Sequence, residues 1–260
     1  MKIFYYTGTG NSLYIAKQLS KDIYSIPKLI NDDNLVFEDQ EIGIVCPLYC
    51  HMPPVTVQEF LAKVTFKAKY FFVIFTYGNR KCDAYEWMDQ YLNSCNIKCD
   101  YLDSIKMVDN YLPSFDMNEQ MKMDKQIDQQ IQRVINNVKQ QKLGYEKTTD
   151  EEKQHHLKIM QMFKESPELF DGSLIKVGDN CIGCGTCQKV CPKGKYSIID
   201  GKAYRKPGSC DNCQGCAQNC PTKTIIPGSG DKNPQARFRN EHISLQEIIN
   251  SNNILKNGDE

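Results

Sequence analysis

The sequence predicts an α/β protein in which a doubly wound, five-stranded parallel sheet precedes a helical insert and a small, cysteine-rich α+β domain. Two observations lead to this prediction. Apolar runs of strand length alternate with helical patterns over roughly the first 110 residues, as in parallel sheets whose crossovers are helices. Eight of the thirteen cysteines then fall within forty residues of the C-terminal third. With 260 residues, the chain is long enough for two domains.

The composition narrows the classes of protein that need to be considered. Hydrophobic residues make up 40% and charged residues 25%, so the chain can bury a core instead of staying disordered. Basic and acidic residues both total 32, and bulk charge therefore gives no indication of a nucleic-acid partner. The longest apolar runs, such as residues 70–75, are too short to cross a bilayer, and no basic-then-apolar leader precedes the first strand. We expect a cytoplasmic protein without a nucleic-acid or membrane partner.

The apolar runs predict five strands, at residues 3–6, 25–30, 42–46, 70–75 and 99–108. Helical patterns lie between them, notably at residues 54–64 and 84–93. In a doubly wound sheet, ligands bind at the carboxyl ends of the strands. Loops 7–12, 47–53 and 76–80 occupy those ends, so the sequence predicts a ligand site formed by these three loops.

The first of these loops has the pattern of a phosphate-binding turn, because a glycine-rich loop before a helix points backbone N–H groups at an anion. It reads Thr7-Gly8-Thr9-Gly10-Asn11-Ser12. The dinucleotide fingerprint does not fit, since position 13 is Leu, and the Walker loop does not fit, since no Lys follows Gly10. Three hydroxyls remain as donors to a phosphate monoester. An empty turn in an ordinary α/β domain is the alternative.

This loop resembles the loop with which flavodoxins hold the phosphate of FMN. The resemblance implies a flavodoxin-like domain over residues 1–145, with the FMN ring between the second and third loops. Tyr49 and Tyr77 are the implied stacking residues, although plain packing at strand ends would explain the same two tyrosines. The implied cofactor-binding residues are Thr7, Gly8, Thr9, Gly10, Asn11, Ser12, Pro47, Leu48, Tyr49, Cys50, His51, Tyr77, Gly78 and Asn79.

Two copies of one cysteine pattern lie between residues 181 and 220. Each copy has three cysteines at three-residue spacing and a fourth cysteine four residues later, which Pro192 or Pro221 follows. Three thiolates from such a turning segment converge on one metal core, and the more distant fourth reaches another. Zinc sites usually use two separated cysteine pairs, and disulfides are the least favoured alternative. A cluster that binds S-adenosylmethionine would have only three cysteines.

Residues 174–227 resemble the bacterial ferredoxins that carry two [4Fe–4S] clusters. The resemblance implies that cluster one is held by Cys181, Cys184, Cys187 and Cys220, and cluster two by Cys210, Cys213, Cys216 and Cys191. The other cysteines show no metal-ligand spacing and are expected to be free thiols: Cys46, Cys50, Cys82, Cys95 and Cys99. Among these, Cys50 is the candidate for a redox role because it lies in the second loop.

The region between the two domains is predicted to be helical. Apolar residues at three- and four-residue steps predict one amphipathic helix over residues 118–141, which would complete the cover of the sheet. A second helix is predicted over residues 149–165. Its adjacent His155 and His156 diverge by about 100° around the helix axis, and we expect them to be solvated rather than to bind a ligand.

The predicted organisation therefore has four parts. They are a flavodoxin-like domain at 1–145, a helical linker at 146–173, a ferredoxin-like domain at 174–227 and a C-terminal segment at 228–260. The last part is a loop and a short helix that begins at a capping box of Ser244 and Glu247.

In its order of domains the chain resembles the flavodoxin–ferredoxin fusion proteins of anaerobes. The resemblance implies FMN, two [4Fe–4S] clusters and redox proteins as partners. We expect low-potential electron transfer, because FMN exchanges one or two electrons and each cluster exchanges one. No catalytic side chain is evident. One alternative is a flavin-dependent iron–sulfur oxidoreductase for a small molecule, with His51, Tyr77 or Tyr85 as proton donor. The other is a docking module that has lost FMN.

Overall fold

A five-stranded sheet forms the centre of the protein in the computed structural model, which describes residues 1–169 and 171–255. The strands are β1 (Lys2–Tyr5), β2 (Ile23–Ser25), β3 (Val36–Pro47), β4 (Thr65–Tyr77) and β5 (Tyr101–Lys106). Their order is β2-β1-β3-β4-β5, and all neighbours are parallel. This is a common order of doubly wound sheets, with the switch point between β1 and β3. The predicted fold class is confirmed.

Helices cover both faces of this sheet. They are α1 (Asn11–Leu19), α2 (Ile26–Leu29), α3 (Val55–Leu61), α4 (Ala84–Ser94), α5 (Met117–Lys122) and α6 (Ile127–Lys139). Successive residues of β1 point to opposite faces. Ile3 belongs to the core that contains Leu13 of α1 and Val134 of α6. Phe4 belongs to the other core, where its ring lies 5.8 Å from that of Phe60 in α3.

The predicted second strand was placed too late in the chain. Instead of residues 25–30, β2 has three residues, and α2 follows it directly. Pro27 lies in the first turn of α2, where its missing N–H is not needed. The apolar run at this point therefore packs as a helical turn, with Ile26 fully buried.

The single helix predicted over residues 118–141 is also wrong, because the structure has two helices there. The break between α5 and α6 contains Gln126 in a left-handed conformation (φ 51°). Beside it, the Lys125 ammonium points inward and donates to the Met107 carbonyl at 2.8 Å and the Gly78 carbonyl at 3.3 Å. These bonds satisfy carbonyl groups at the carboxyl ends of the sheet, which an uninterrupted helix would not reach.

The cysteine-rich region is a small α+β unit, as predicted. It contains β6 (Lys176–Val177), α8 (Thr186–Val190), β7 (Tyr196–Ile199), β8 (Lys202–Arg205), α9 (Gly215–Gln218) and β9 (Ile225–Ile226). Antiparallel pairs join β6 to β9 and β7 to β8. The unit packs directly on the α/β part. Val190 lies in the core that contains Leu13 of α1, here called the α1-side core. Cys213 lies in the core that contains Phe60 of α3, here called the α3-side core.

Two further helices hold the parts together. The predicted helix at 149–165 is α7 (Asp150–Glu165), and the predicted capping box starts α10 (Leu245–Asn252). The Asn252 amide of α10 donates to the carbonyls of Thr7 (2.8 Å) and Val190 (3.2 Å). None of the helices described is both long enough and apolar enough to cross a membrane.

Candidate functional site

The structure brings the eight cysteines of the two copies together in the two predicted groups. Cys181, Cys184, Cys187 and Cys220 line one small cavity. Burial raises the pKa of the Cys213 thiol, and the neighbouring thiols of Cys210, Cys216 and Cys191 raise it further. The fourth cysteine of each copy therefore lies beside the first three cysteines of the other copy, which is the exchanged arrangement that the ferredoxin resemblance implies.

The spacing of the sulfur atoms tests whether these groups suit a single ion or a larger core. A tetrahedral zinc ion with Zn–S bonds of about 2.3 Å holds its sulfurs roughly 3.8 Å apart. Among the described residues, no three cysteine sulfurs lie within 4.8 Å of one another. The sulfurs of neither group are thus gathered as closely as the ligands of a single zinc ion.

Backbone N–H groups point at sulfurs of both groups. Ala203 donates to Cys181 and Lys195 donates to Cys191, both at 3.3 Å, and Asn212 donates to Cys210 at 3.4 Å. Such bonds stabilise the thiolate form and the negative charge of a cluster. The fold around the first group depends on Gly183, because a Cβ there would lie 2.3 Å from the Gly201 carbonyl oxygen.

The three predicted loops line a second, larger cavity of about 500 Å³, a volume typical of cofactor sites. Of the fourteen residues predicted to bind the cofactor, thirteen line it: Thr7, Gly8, Thr9, Asn11, Ser12, Pro47, Leu48, Tyr49, Cys50, His51, Tyr77, Gly78 and Asn79. Gly10 does not. It has φ 103°, and a Cβ on it would meet Asn240 and Ile243. Gly10 therefore shapes the turn rather than the wall of the cavity.

The hydroxyl groups of the first loop are buried and remain able to donate. Thr7 Oγ1 accepts from the Gly10 N–H at 3.0 Å, and Thr9 Oγ1 accepts from the Asn110 amide at 3.0 Å. Since both hydroxyls act as acceptors in these bonds, their hydrogens are available to a ligand. Helix α1 begins at Asn11, and its first-turn N–H groups and positive end add to an anion site. The donor set fits a phosphate group.

The two predicted stacking tyrosines lie at the cavity and also pack against the core. Both Tyr49 and Tyr77 line the cavity, and both are partly buried against the α3-side core. The Tyr49 ring lies edge-on to that of Tyr6, with centroids 6.4 Å apart. Burial raises the pKa of both hydroxyls, so both tyrosines are neutral and suited to contact an apolar ring.

Sequence reasoning missed two parts of the cavity wall. The loop after β5 contributes Asp109, Asn110 and Tyr111. This loop follows the carboxyl end of a strand, the same signal that found the other three. Helix α7 contributes His155 and Ile159. No sequence signal placed α7 there, because its approach depends on tertiary packing.

The larger cavity shares a wall with the second cysteine group. A Cβ on Gly8 would lie 2.7 Å from the Cys213 carbonyl oxygen, and one on Gly215 would lie 2.9 Å from the Gly8 carbonyl oxygen. The Asn110 amide reaches both sides, donating to Thr9 Oγ1 at 3.0 Å and to the Cys213 carbonyl at 3.4 Å. The first loop and the second cysteine loop therefore touch through backbone, with no side chain between them at Gly8.

Comparison with known proteins defines the class of the cysteine-rich region. Residues 173–221 match the 4Fe-4S dicluster domain family. An uncharacterised ferredoxin of Methanocaldococcus jannaschii is 44% identical over 52 residues, which is 18% of this chain and 68% of that protein. The chain thus belongs, through this region, to the ferredoxin family with two [4Fe–4S] clusters.

A second relative is more distant. The Escherichia coli protein YsaA, provisionally named an electron transport protein, is 28% identical over 69 residues, which is 24% of this chain. The chain covers 44% of the length of YsaA. Both similarities cover only a minor part of the chain, so they identify the iron–sulfur domain and leave the α/β domain to be interpreted from its own residues.

Proposed function

We propose that the chain is a low-potential electron-transfer protein, in which FMN in the larger cavity and two [4Fe–4S] clusters form an internal relay. FMN exchanges one or two electrons, and each cluster exchanges one. The residues of the first loop would hold the FMN phosphate, and Tyr49 and Tyr77 would contact the ring. The eight cysteines would hold the clusters in the two groups described above.

The contact between the cavity and the second cysteine loop is the observation that carries this proposal. Gly8 faces Cys213, and Asn212 of the same loop lines the cavity. Electron transfer requires that two cofactors lie close together. A docking module without FMN would not require the cavity to lie beside a cysteine loop. The relay would run from FMN to cluster two and then to cluster one.

The exposure of the two groups suggests where a redox partner binds. Both groups contain buried cysteines, and the first group also contains Cys184, which is exposed, whereas the most accessible cysteine of the second group, Cys210, is only half-exposed. Beside Cys184, Ile182 has 65% of its surface exposed. Cluster one is thus the cluster nearer to solvent, and we propose that an external one-electron carrier docks over Ile182 and Cys184.

Anaerobic reconstitution with iron, sulfide and FMN tests the proposal. The expected content is about eight irons and one FMN per chain. Rapid mixing with a one-electron reductant should then reduce the clusters and the flavin of the same molecule. A content of four irons, or the absence of flavin after reconstitution, contradicts the relay. Replacement Thr9→Val should lower FMN affinity while the iron content stays unchanged, and Thr65→Val on an exposed strand position is the matched control.

A flavin-dependent oxidoreductase is the second candidate, and the extent of the cavity favours it. The wall continues beyond the three loops to Tyr111, Ile159 and Met162. Turnover of NAD(P)H or of an organic acceptor by the reconstituted protein would support this candidate. If the protein-bound cofactors are reduced stoichiometrically and no substrate is turned over, the result supports the relay and not the oxidoreductase.

A further inference from the structure

Three side chains from separate segments converge at one side of the larger cavity. They are His51 in the loop after β3, Cys82 just before α4, and His155 in α7. One ligand atom of each lies within 4.8 Å of those of the other two. The rings of His51 and His155 have centroids 5.3 Å apart. Cys82 belongs to neither cysteine group of the ferredoxin-like region.

The backbone at two of the three positions is held in an unusual conformation. His51 (φ 70°) and Cys82 (φ 47°) are left-handed without being glycine, and so is Cys50 (φ 50°) before His51. A tight turn fixes this conformation, since Tyr49 and Met52 exchange two backbone hydrogen bonds of 2.9 and 3.1 Å around it. Strained residues of this kind concentrate at functional sites, where the surrounding structure holds a side chain in one place.

The Cys82 thiol is buried, and the two imidazoles are half-buried. Cys82 is 2% exposed, and His51 Nδ1 is buried without a hydrogen-bond partner among the described residues. A buried ring nitrogen without a partner is costly unless something binds it.

Neighbouring residues hold this arrangement and balance its charge. His156 Nδ1 lies 3.1 Å from Asp83 Oδ1, which ties α7 to the segment that carries Cys82. His156 is 6% exposed, so the expectation that both histidines are solvated is wrong. Glu152 lies one turn before His155 on α7 and binds Arg80 at 3.0 Å. The ion pair of Glu152 and Arg80 therefore lies beside the cluster.

We propose that His51, Cys82 and His155 bind a Zn²⁺ ion. One thiolate and two imidazoles are a ligand set that zinc prefers, and their tetrahedral positions lie roughly 3.3–3.6 Å apart, which is within the observed limit of 4.8 Å. On binding, the Cys82 thiol releases its proton to solvent, and its sulfur bonds to the metal. His51 and His155 also line the cavity, so the fourth position faces it. Three protein ligands and one exchangeable position are the pattern of zinc sites that bind or activate a small molecule.

Zinc analysis of the reconstituted, iron-loaded chain tests this site without reference to flavin. We expect one zinc per chain in addition to about eight irons. X-ray absorption at the zinc edge should give one sulfur at about 2.3 Å and nitrogens at about 2.0–2.1 Å. Cys82→Ser and His155→Gln should each weaken zinc binding by at least about 100-fold, since even outer-shell changes cost 10–100-fold. Cys95→Ser and His242→Gln, which lie outside the cluster, should leave it unchanged.

Three results would overturn the proposal. The first is no zinc uptake by chains whose iron content is full. The second is a zinc spectrum with three or four sulfurs and a matching loss of iron, because zinc would then occupy the cluster sites. The third is zinc binding that neither Cys82→Ser nor His155→Gln weakens in chains that retain their iron. Zinc without FMN would refute the relay and leave this site standing, whereas FMN without zinc would do the reverse.

Discussion

The hydroxyl of Tyr6, directly after β1, donates a hydrogen bond of 2.9 Å to the carboxylate of Asp211, in the second cysteine loop. Thr56 at the start of α3 donates to the same carboxylate through its N–H (3.2 Å) and its hydroxyl. Asp211 is 6% exposed. The burial of Tyr6, together with the negative charge of Asp211, raises the pKa of the Tyr6 hydroxyl well above its usual range. One buried carboxylate thus joins the sheet, α3 and the iron–sulfur domain.

Replacement of this carboxylate should destabilise the whole protein. In Asp211→Ala, the Tyr6 hydroxyl and the Thr56 N–H lose their buried acceptor, at a cost of about 1–3 kcal/mol for each unsatisfied group. We expect the free energy of unfolding to fall by about 3 kcal/mol, as measured by anaerobic denaturant titration. Asp33→Ala, at an exposed position, should change it by less than about 0.5 kcal/mol. If the two replacements change the free energy of unfolding equally, the hydrogen bonds to Asp211 do not stabilise the protein.

The sequence was most informative where function depends on local spacing. The cysteines from Cys181 to Cys220 repeat within one short region, and the loop from Thr7 to Ser12 lies between a strand and a helix, so both patterns are visible without the fold. The parallel sheet followed from the alternation of apolar runs, because that pattern reflects burial on two faces.

Features that depend on distant parts of the chain could not be predicted in this way. His51, Cys82 and His155 have no common spacing, and only the packing of α7 against two loops brings them together. The break between α5 and α6 was missed because a continuous helical pattern does not reveal the carbonyls that Lys125 reaches. The contact between Gly8 and Cys213 likewise joins residues about 200 positions apart.

That contact predicts a specific effect of adding one methyl group. In Gly8→Ala, the new Cβ would lie 2.7 Å from the Cys213 carbonyl oxygen and 2.9 Å from the Tyr49 hydroxyl. Overpacking of this kind costs about 1–3 kcal/mol, and here it would push the first loop away from the second cysteine loop. We expect FMN affinity to fall at least about tenfold in a fluorescence titration, with slower electron exchange between flavin and clusters.

Gly144→Ala is the matched control for this replacement. A Cβ at Gly144 meets no atom within 4 Å, although its φ of 79° makes Ala unfavourable there. This variant should lose some stability while FMN affinity stays unchanged. If Gly8→Ala binds FMN as tightly as the unmodified protein, the two loops do not constrain each other.

The buried amide of Asn252 predicts a long-range effect of the C-terminal helix on the cavity. Asn252 is fully buried, and its Nδ2 group donates to the carbonyls of Thr7 and Val190. Asn252→Ala leaves both carbonyls without this donor, so we expect a loss of about 2–3 kcal/mol in unfolding free energy and weaker FMN binding. Asn250→Ala is the control, because Asn250 is exposed and its side chain accepts from Gln246 at the helix surface. A drop in stability with normal FMN affinity would confine the role of Asn252 to folding.

The exchanged pairing of the cysteines predicts opposite results for two double variants. Cys191→Ala combined with Cys213→Ala removes two ligands from cluster two and leaves cluster one complete, so about four irons per chain should remain. Cys187→Ala combined with Cys191→Ala removes one ligand from each cluster, and we expect both clusters to be lost or degraded. If each copy instead held its own cluster, the second pair would retain four irons and the first would damage both clusters. Iron analysis and electron paramagnetic resonance of the reduced variants distinguish the two pairings, because a single intact cluster gives an uncoupled signal.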